Sequence, residues 1–220
     1  MKCTAYIIFI CLFIETIVAS EKEIKIEKKA LLFFHGGGGM FGSVEDTKNI
    51  EFTNKLIDKY DPIIIVDYKL FWKREHRSLN QKLINEYLSA LPPNKKYDVI
   101  AVSAGAYVFK NAEENLIKPP SHFYGISPML SSEGGIILNL IGILDRLTSP
   151  KTKCHQNLSM ESFSNSFPVT IFHGENDRII DSQQLLRSCA HESCHLIEIE
   201  NAHHFLLDSP IISKTIKKNE

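Results

Sequence analysis

The chain has 220 residues, 44% of them apolar and 23% charged, which is enough to bury the core of one globular domain and argues against an intrinsically disordered chain. A formal net charge of -1, with no basic stripe interleaved with aromatics, gives no electrostatic case for a nucleic-acid partner. The lysines between Lys22 and Lys29 alternate with Glu21, Glu23 and Glu27 and read as a solvated segment.

The first twenty residues have the layout of a secretory signal peptide: Lys2, an apolar run from Thr4 to Ile14, then Val18-Ala19-Ser20 before Glu21. The run is shorter than the ~20 apolar residues a membrane-spanning helix needs, so no stable span is expected after cleavage. The expected organisation is a leader over residues 1–20 and one domain over 21–220. Cys154, Cys189 and Cys194 would then remain. An odd number suggests one disulfide and one free thiol, with the pairing open. Cys189 and Cys194 lie five apart with His191 and His195 interleaved, whereas structural zinc sites show tighter cysteine pairs and four clear ligands. Asn157-Leu158-Ser159 is a glycosylation sequon, meaningful only in a eukaryotic secretory route.

From Ala30 onward, short apolar runs alternate with helical periodicity. Ala30–Phe34 is a strand that ends in His35 and four glycines. Val44–Tyr60 has helical spacing at Ile50, Leu56 and Ile57, and Pro62–Val66 is a β-branched strand. Leu79–Leu91 is a helix with Leu83, Ile84, Tyr87 and Leu88 on one face, stopped by Pro92-Pro93. Val99–Val102 is a strand and Ala104–Leu116 a helix. Phe123–Ile126 and Val169–Phe172 are strands, Ser182–Ala190 a helix, Leu196–Ile199 the last strand, and a helix closes the chain after Phe205. Strands without apolar–polar alternation belong to sheets covered on both faces, and alternation with helices implies parallel pairing. The expected fold class is therefore α/β, a mostly parallel, doubly wound sheet with helices on both faces. Ile24 and Ile26 are candidates for an antiparallel edge strand. The segment 131–166, with Ile136, Ile137, Leu138, Leu140, Ile141, Ile143, Leu144 and Leu147, reads either as a small lid insertion over an acyl pocket or as a buried core helix.

Four pieces carry chemistry. Ala101-Val102-Ser103-Ala104-Gly105 lies between a strand and a helix, where a sharp turn would lift Ser103 above the sheet edge as a nucleophile; the bland alternative is a serine capping a helix. The usual first residue of such a turn is glycine, and here it is Ala101. His35-Gly36-Gly37-Gly38-Gly39 follows the first strand, and such a run lets backbone amides turn toward a developing oxyanion. A phosphate-binding loop would need Lys-Ser/Thr next, but Met40-Phe41-Gly42-Ser43 stands there. His173-Gly174-Glu175-Asn176-Asp177 places a carboxylate after a strand, and Asn201-Ala202-His203-His204-Phe205 places imidazoles after the last strand. The chain order Ser, Asp, His is the one expected on this fold.

These stretches resemble the α/β-hydrolase superfamily, and within it the hormone-sensitive-lipase-like serine esterases. The likeness rests on His35-Gly36-Gly37-Gly38, Val66-Asp67-Tyr68-Lys69-Leu70, Ser103-Ala104-Gly105, Ser127-Pro128, His173-Gly174-x-x-Asp177 and His203-x-Phe205, spread from about Ala30 to about Leu207. The family's Ala-Pro-Glu is replaced by Phe71-Trp72-Lys73. The resemblance implies an esterase or lipase-like hydrolase of small acyl substrates without metal or organic cofactor. Ser103 would be the nucleophile, His203 the base in preference to His204, and Asp177 the acid. The amides of Gly37, Gly38 and Ala104 would form the oxyanion hole. Thioesters or amides are alternative substrates, and a catalytically silent binding protein on the same fold is the alternative from another class.

Overall fold

The structure is a computed structural model that describes residues 27–36, 44–68, 74–129, 166–177, 179–180, 182–189 and 192–219. The expected leader, the expected edge strand at Ile24 and Ile26, most of the glycine run, and residues 131–165 of the expected insertion lie outside them.

Among the described residues, six strands form one sheet: β1 (Lys29–Phe34), β2 (Tyr60–Ile65), β3 (Tyr97–Val102), β4 (His122–Ile126), β5 (Val169–Gly174) and β6 (Cys194–Ile199). Their order is β2-β1-β3-β4-β5-β6, and every pair is parallel. Among the described residues, five α-helices connect and close them: α1 (Thr47–Asn54), α2 (Arg74–Ala90), α3 (Ala104–Ala112), α4 (Ser182–Ser188) and α5 (Pro210–Lys218). Among the described residues no helix is long and apolar enough to cross a membrane.

Burial explains the unbroken apolar runs. Along β1, Ala30, Leu32 and Phe34 enter one core layer with Leu88 of α2, Phe109 of α3 and Leu185 of α4. Leu31 and Phe33 enter the opposite layer with Phe52 of α1 and Ile212 and Ile216 of α5. Successive side chains point to opposite faces of a strand, so a strand covered on both sides must be apolar at every position. Pro62 lies in β2, an edge strand, where a missing backbone N–H is tolerated.

Element boundaries differ from the expected ones where local contacts compete with periodicity. The run expected as one helix over 44–60 is helical only from Thr47 to Asn54. Asp46 caps it, accepting from the amide of Lys48 at 2.9 Å. Beyond it, tighter turn bonds from Lys55 to Phe52 and from Leu56 to Thr53 take over. Its buried face is Asn49, Phe52 and Thr53; Leu56 in the turn that follows is also buried, while Ile50 and Ile57 are exposed. α2 begins at Arg74, five residues before the expected start, and buries Ile84 and Leu88 as expected. The helix after Phe205 starts with Pro210, whose fixed φ suits a first helical position.

The connectivity decides where a site can form. The chain runs from β1 outward to β2, then returns to β3 on the other side of β1 and continues to β6. Connections therefore leave β1 and β3 in opposite directions, and a crevice opens at their C-terminal ends. His35-Gly36 follows β1 there, and Ser103 follows β3.

Candidate active site

Ser103 sits between β3 and α3 with φ 46° and ψ -116°, a conformation that costs a non-glycine residue on the order of 1–3 kcal/mol. Neighbouring backbone holds it there. Its amide donates to Ile126 at 3.0 Å, and its carbonyl accepts from Ala106 at 3.1 Å and Met129 at 2.9 Å. The turn is crowded: a Cβ on Gly105 would stand 2.6 Å from the His35 carbonyl oxygen and 2.7 Å from that of Phe34. Glycine at 105 is therefore a packing requirement, and Ala101, wholly buried in β3, is accommodated in place of the usual glycine.

Asp177 comes from the loop after β5. Its side chain is fully buried. Oδ1 accepts from the amides of Ile179 at 2.8 Å and Ile180 at 3.1 Å. Oδ2 accepts from His204 Nδ1 at 2.8 Å. Burial pushes the carboxyl up, but the hydrogen bond and charge of His204, with the two amides, outweigh it and leave the group below the ordinary carboxylate range. His204 Nε2 lies 2.9 Å from Ser103 Oγ. An ionised carboxylate only accepts, so the bond to Asp177 fixes the proton on Nδ1 and leaves Nε2 to accept from the serine hydroxyl.

The histidine in this position is His204, not the expected His203. His203 is exposed, with its Nδ1 3.2 Å from the Asn176 carbonyl oxygen. The reason lies in how the loop after β6 is seated. Asn201 adopts φ 55° and its amide donates to Glu175 Oε2 at 3.0 Å. The Ala202 carbonyl accepts from Asn176 at 2.9 Å, and the carbonyls of Ala202 and His203 rest against Gly174. His204 is the next residue along and is buried beside Asp177. Phe205 does not pack behind His203; its ring meets the His204 imidazole edge-on at 5.4 Å and is 83% exposed. The adjacent pair of histidines was the sequence signal, but the spacing to Phe205 selected the wrong member.

Of the expected oxyanion donors, Gly37 and Gly38 lie outside the described residues. Ala104 is the first residue of α3, where an amide has no acceptor within its own helix. The start of the glycine run is held by side chains. The His35 ring stacks on Tyr68 at 4.5 Å, the Tyr68 hydroxyl donates to the His35 carbonyl at 2.6 Å, and His35 Nδ1 lies 2.8 Å from the Gly36 carbonyl oxygen. Burial holds the His35 imidazole below its ordinary range, against the smaller effects of that bond and of Asp67 and Asp46. Tyr68, quoted above only as part of a motif, thus anchors the loop. Among the described residues no cluster of three or more His, Cys, Asp or Glu could hold a metal ion.

No protein-family model and no curated protein sequence matches the chain. Solved structures do. An esterase/lipase from an uncultured bacterium is 16% identical with a TM-score of 0.59, over 86% of this chain and 74% of that one. The Pyrococcus furiosus esterase Pf2001 is 15% identical with a TM-score of 0.59, over 87% and 82%. A thermophilic esterase from Thermogutta terrifontis with propionate bound is 16% identical with a TM-score of 0.52, over 87% and 81%. The fold is the α/β-hydrolase fold.

Proposed function

We propose that the protein is a serine hydrolase of carboxylic esters, of the hormone-sensitive-lipase-like kind, working through an acyl-enzyme on Ser103. The observation that carries this reading is the continuous relay from Ser103 Oγ through His204 to the buried Asp177. In the first half-reaction Ser103 Oγ attacks the acyl carbonyl while His204 Nε2 takes the hydroxyl proton, and His204 returns that proton to the departing alcohol. In the second half-reaction water attacks the acyl-serine, with His204 again taking and returning a proton, and the carboxylic acid leaves. Asp177 fixes the imidazole tautomer and stabilises the imidazolium. The Ala104 amide, at a helix N-terminus, and the amides of Gly37 and Gly38 take the oxyanion; each such donor contributes roughly 2.7–4 kcal/mol in comparable sites. The strained turn at Ser103 favours catalysis over the silent binding protein, since a binding surface has no need of it. That the similar solved structures are esterases favours esters over thioesters and amides.

The protein is proposed to act outside the cytoplasm after removal of residues 1–20. The disulfide between Cys189 and Cys194 fits an oxidising compartment, and the exported protein should begin near Glu21 on N-terminal sequencing.

A fluorophosphonate probe and a chromogenic ester series of increasing acyl length test the activity. The expected result is turnover, with one label mapping to Ser103 and none on a folded Ser103→Ala variant. A folded wild-type protein that neither labels nor turns over any ester of the series overturns the reading.

A further inference from the structure

We propose, on the premise that Ser103, His204 and Asp177 work as above, that His173 is a positioning residue that steadies the Asp177 oxygen serving His204. His173 is the penultimate residue of β5 and only 1% exposed. Its Nδ1 lies 3.7 Å from Asp177 Oδ2, the same oxygen that accepts from His204 Nδ1 at 2.8 Å. The two carboxylate oxygens are thus treated differently. Oδ1 is tied to two backbone amides, whereas Oδ2 stands between two imidazoles. Among the described residues, the imidazoles of His173, from β5, and His204, from the loop after β6, are the ionisable groups that face it.

A separation of 3.7 Å is beyond hydrogen-bond length, but in a buried site an N–H dipole at that range still acts strongly on a carboxylate. The tautomer follows from the same electrostatics: a nitrogen lone pair facing Oδ2 would repel it, so Nδ1 carries the proton. An N–H there does two things. It resists rotation of the carboxylate away from His204, and it draws off part of the charge that would otherwise make His204 more basic.

The test uses three variants of the full-length mature protein, with active enzyme counted by fluorophosphonate titration. His173→Asn sets an amide N–H near the Nδ1 position; His173→Leu removes the donor; His173→Gln moves it toward the Nε2 position. Leu and Gln are expected to lower kcat about tenfold with KM within about twofold. They should also raise the pH of the acid limb of kcat/KM by about half a unit, read as a threefold loss on that limb. Asn should stay within about threefold of wild type with the limb unmoved. A purely structural role would lower Tm and the titratable fraction in all three, leaving kcat per titrated site and the limb unchanged, and that result overturns the proposal. So does equal loss in Asn and Gln, a comparison that survives if the leucine variant does not fold. Failure of the underlying hydrolase reading looks different: the wild type itself would not label.

Discussion

Gly174 and Ala202 are in direct backbone contact, so close that a Cβ built on Gly174 would stand 2.5 Å from the Ala202 carbonyl oxygen. This contact seats the loop after β6 on the end of β5, and it decides which histidine turns inward. The opposing atoms are backbone and cannot move aside as a flexible side chain would. Gly174→Ala is therefore expected to cost about 1–3 kcal/mol of stability and to lower kcat more than it changes KM, because the shift falls on His204. Urea unfolding and ester kinetics on the same preparation measure both; a fully active variant of unchanged stability would show that the loop is not seated this way.

His204→Ala should lower kcat on a chromogenic ester by on the order of 10⁴-fold, as loss of a triad member does. His203→Ala should change it by less than about tenfold, since its ring is exposed and its Nδ1 lies beside the Asn176 carbonyl rather than Asp177. Kinetics of the two single variants, with circular dichroism to confirm folding, settle the comparison. The opposite ranking would mean that the loop closes differently during catalysis.

Acid sensitivity should arise partly at the other end of the sheet. His122, at the start of β4, stacks on Tyr124 at 4.1 Å and its Nε2 lies 2.9 Å from Thr170 Oγ1. Burial first, then the charges of Lys29, Lys59 and His195, lower its pKa from 6.5 to about 4. The unfolded chain therefore takes up this proton before the folded one. Stability is full above about pH 6.5, declines as pH falls toward 4, and levels off below, with a loss of about 2 kcal/mol after allowance for solvent screening. Asp98, pushed up by burial against the opposing effect of Lys29, works in the reverse sense. The informative quantity is thus the difference between wild type and His122→Gln, which keeps a partner for Thr170. Between pH 7 and 4, the Tm of wild type should fall relative to that of the variant as pH falls. Parallel curves would remove His122 from the account.

The Cys189–Cys194 disulfide joins the end of α4 to the first residue of β6, with Cα atoms 5.1 Å apart. It closes a short loop, so its effect through the unfolded chain is modest, about 2 kcal/mol. Cys189→Ser paired with Cys194→Ser should lower stability by that amount while leaving kcat within about twofold, because the bridge lies at the N-terminal end of β6 and His204 beyond its C-terminal end. A large loss of kcat in the folded double variant would mean that the bridge supports the site itself.

Much of this protein is legible in its chain. β1 is apolar at every position from Ala30 to Phe34 because both faces are covered, and a burial pattern of that kind is written directly in residue type. Ser103 and Asp177 could be placed because each follows a strand within a few residues, and a parallel sheet delivers all its strand ends to one edge. Gly105 and Gly174 were readable as motif members, although the backbone atoms that forbid a side chain there come from Phe34, His35, Ala202 and His203, distant in sequence. Sequence periodicity misassigned Ile50, which lies within α1 but off its buried face of Asn49, Phe52 and Thr53, and Ile57, which lies beyond the end of that helix at Asn54.

The sequence by itself determined the layers, the strand positions and the order of serine, acid and histidine, since these depend on local hydrophobic pattern and on turn chemistry within a few residues. Only the tertiary structure decided which of two adjacent histidines faces Ser103, how Tyr68 anchors the start of the glycine run, and that Asp177 Oδ2 lies between His173 and His204. Neighbouring loop residues differ in direction by the backbone angles between them, and those angles are set here by Asn201, Glu175 and Gly174 acting across two strands. No pattern within one segment carries that information, because it exists only once β5 and β6 lie side by side.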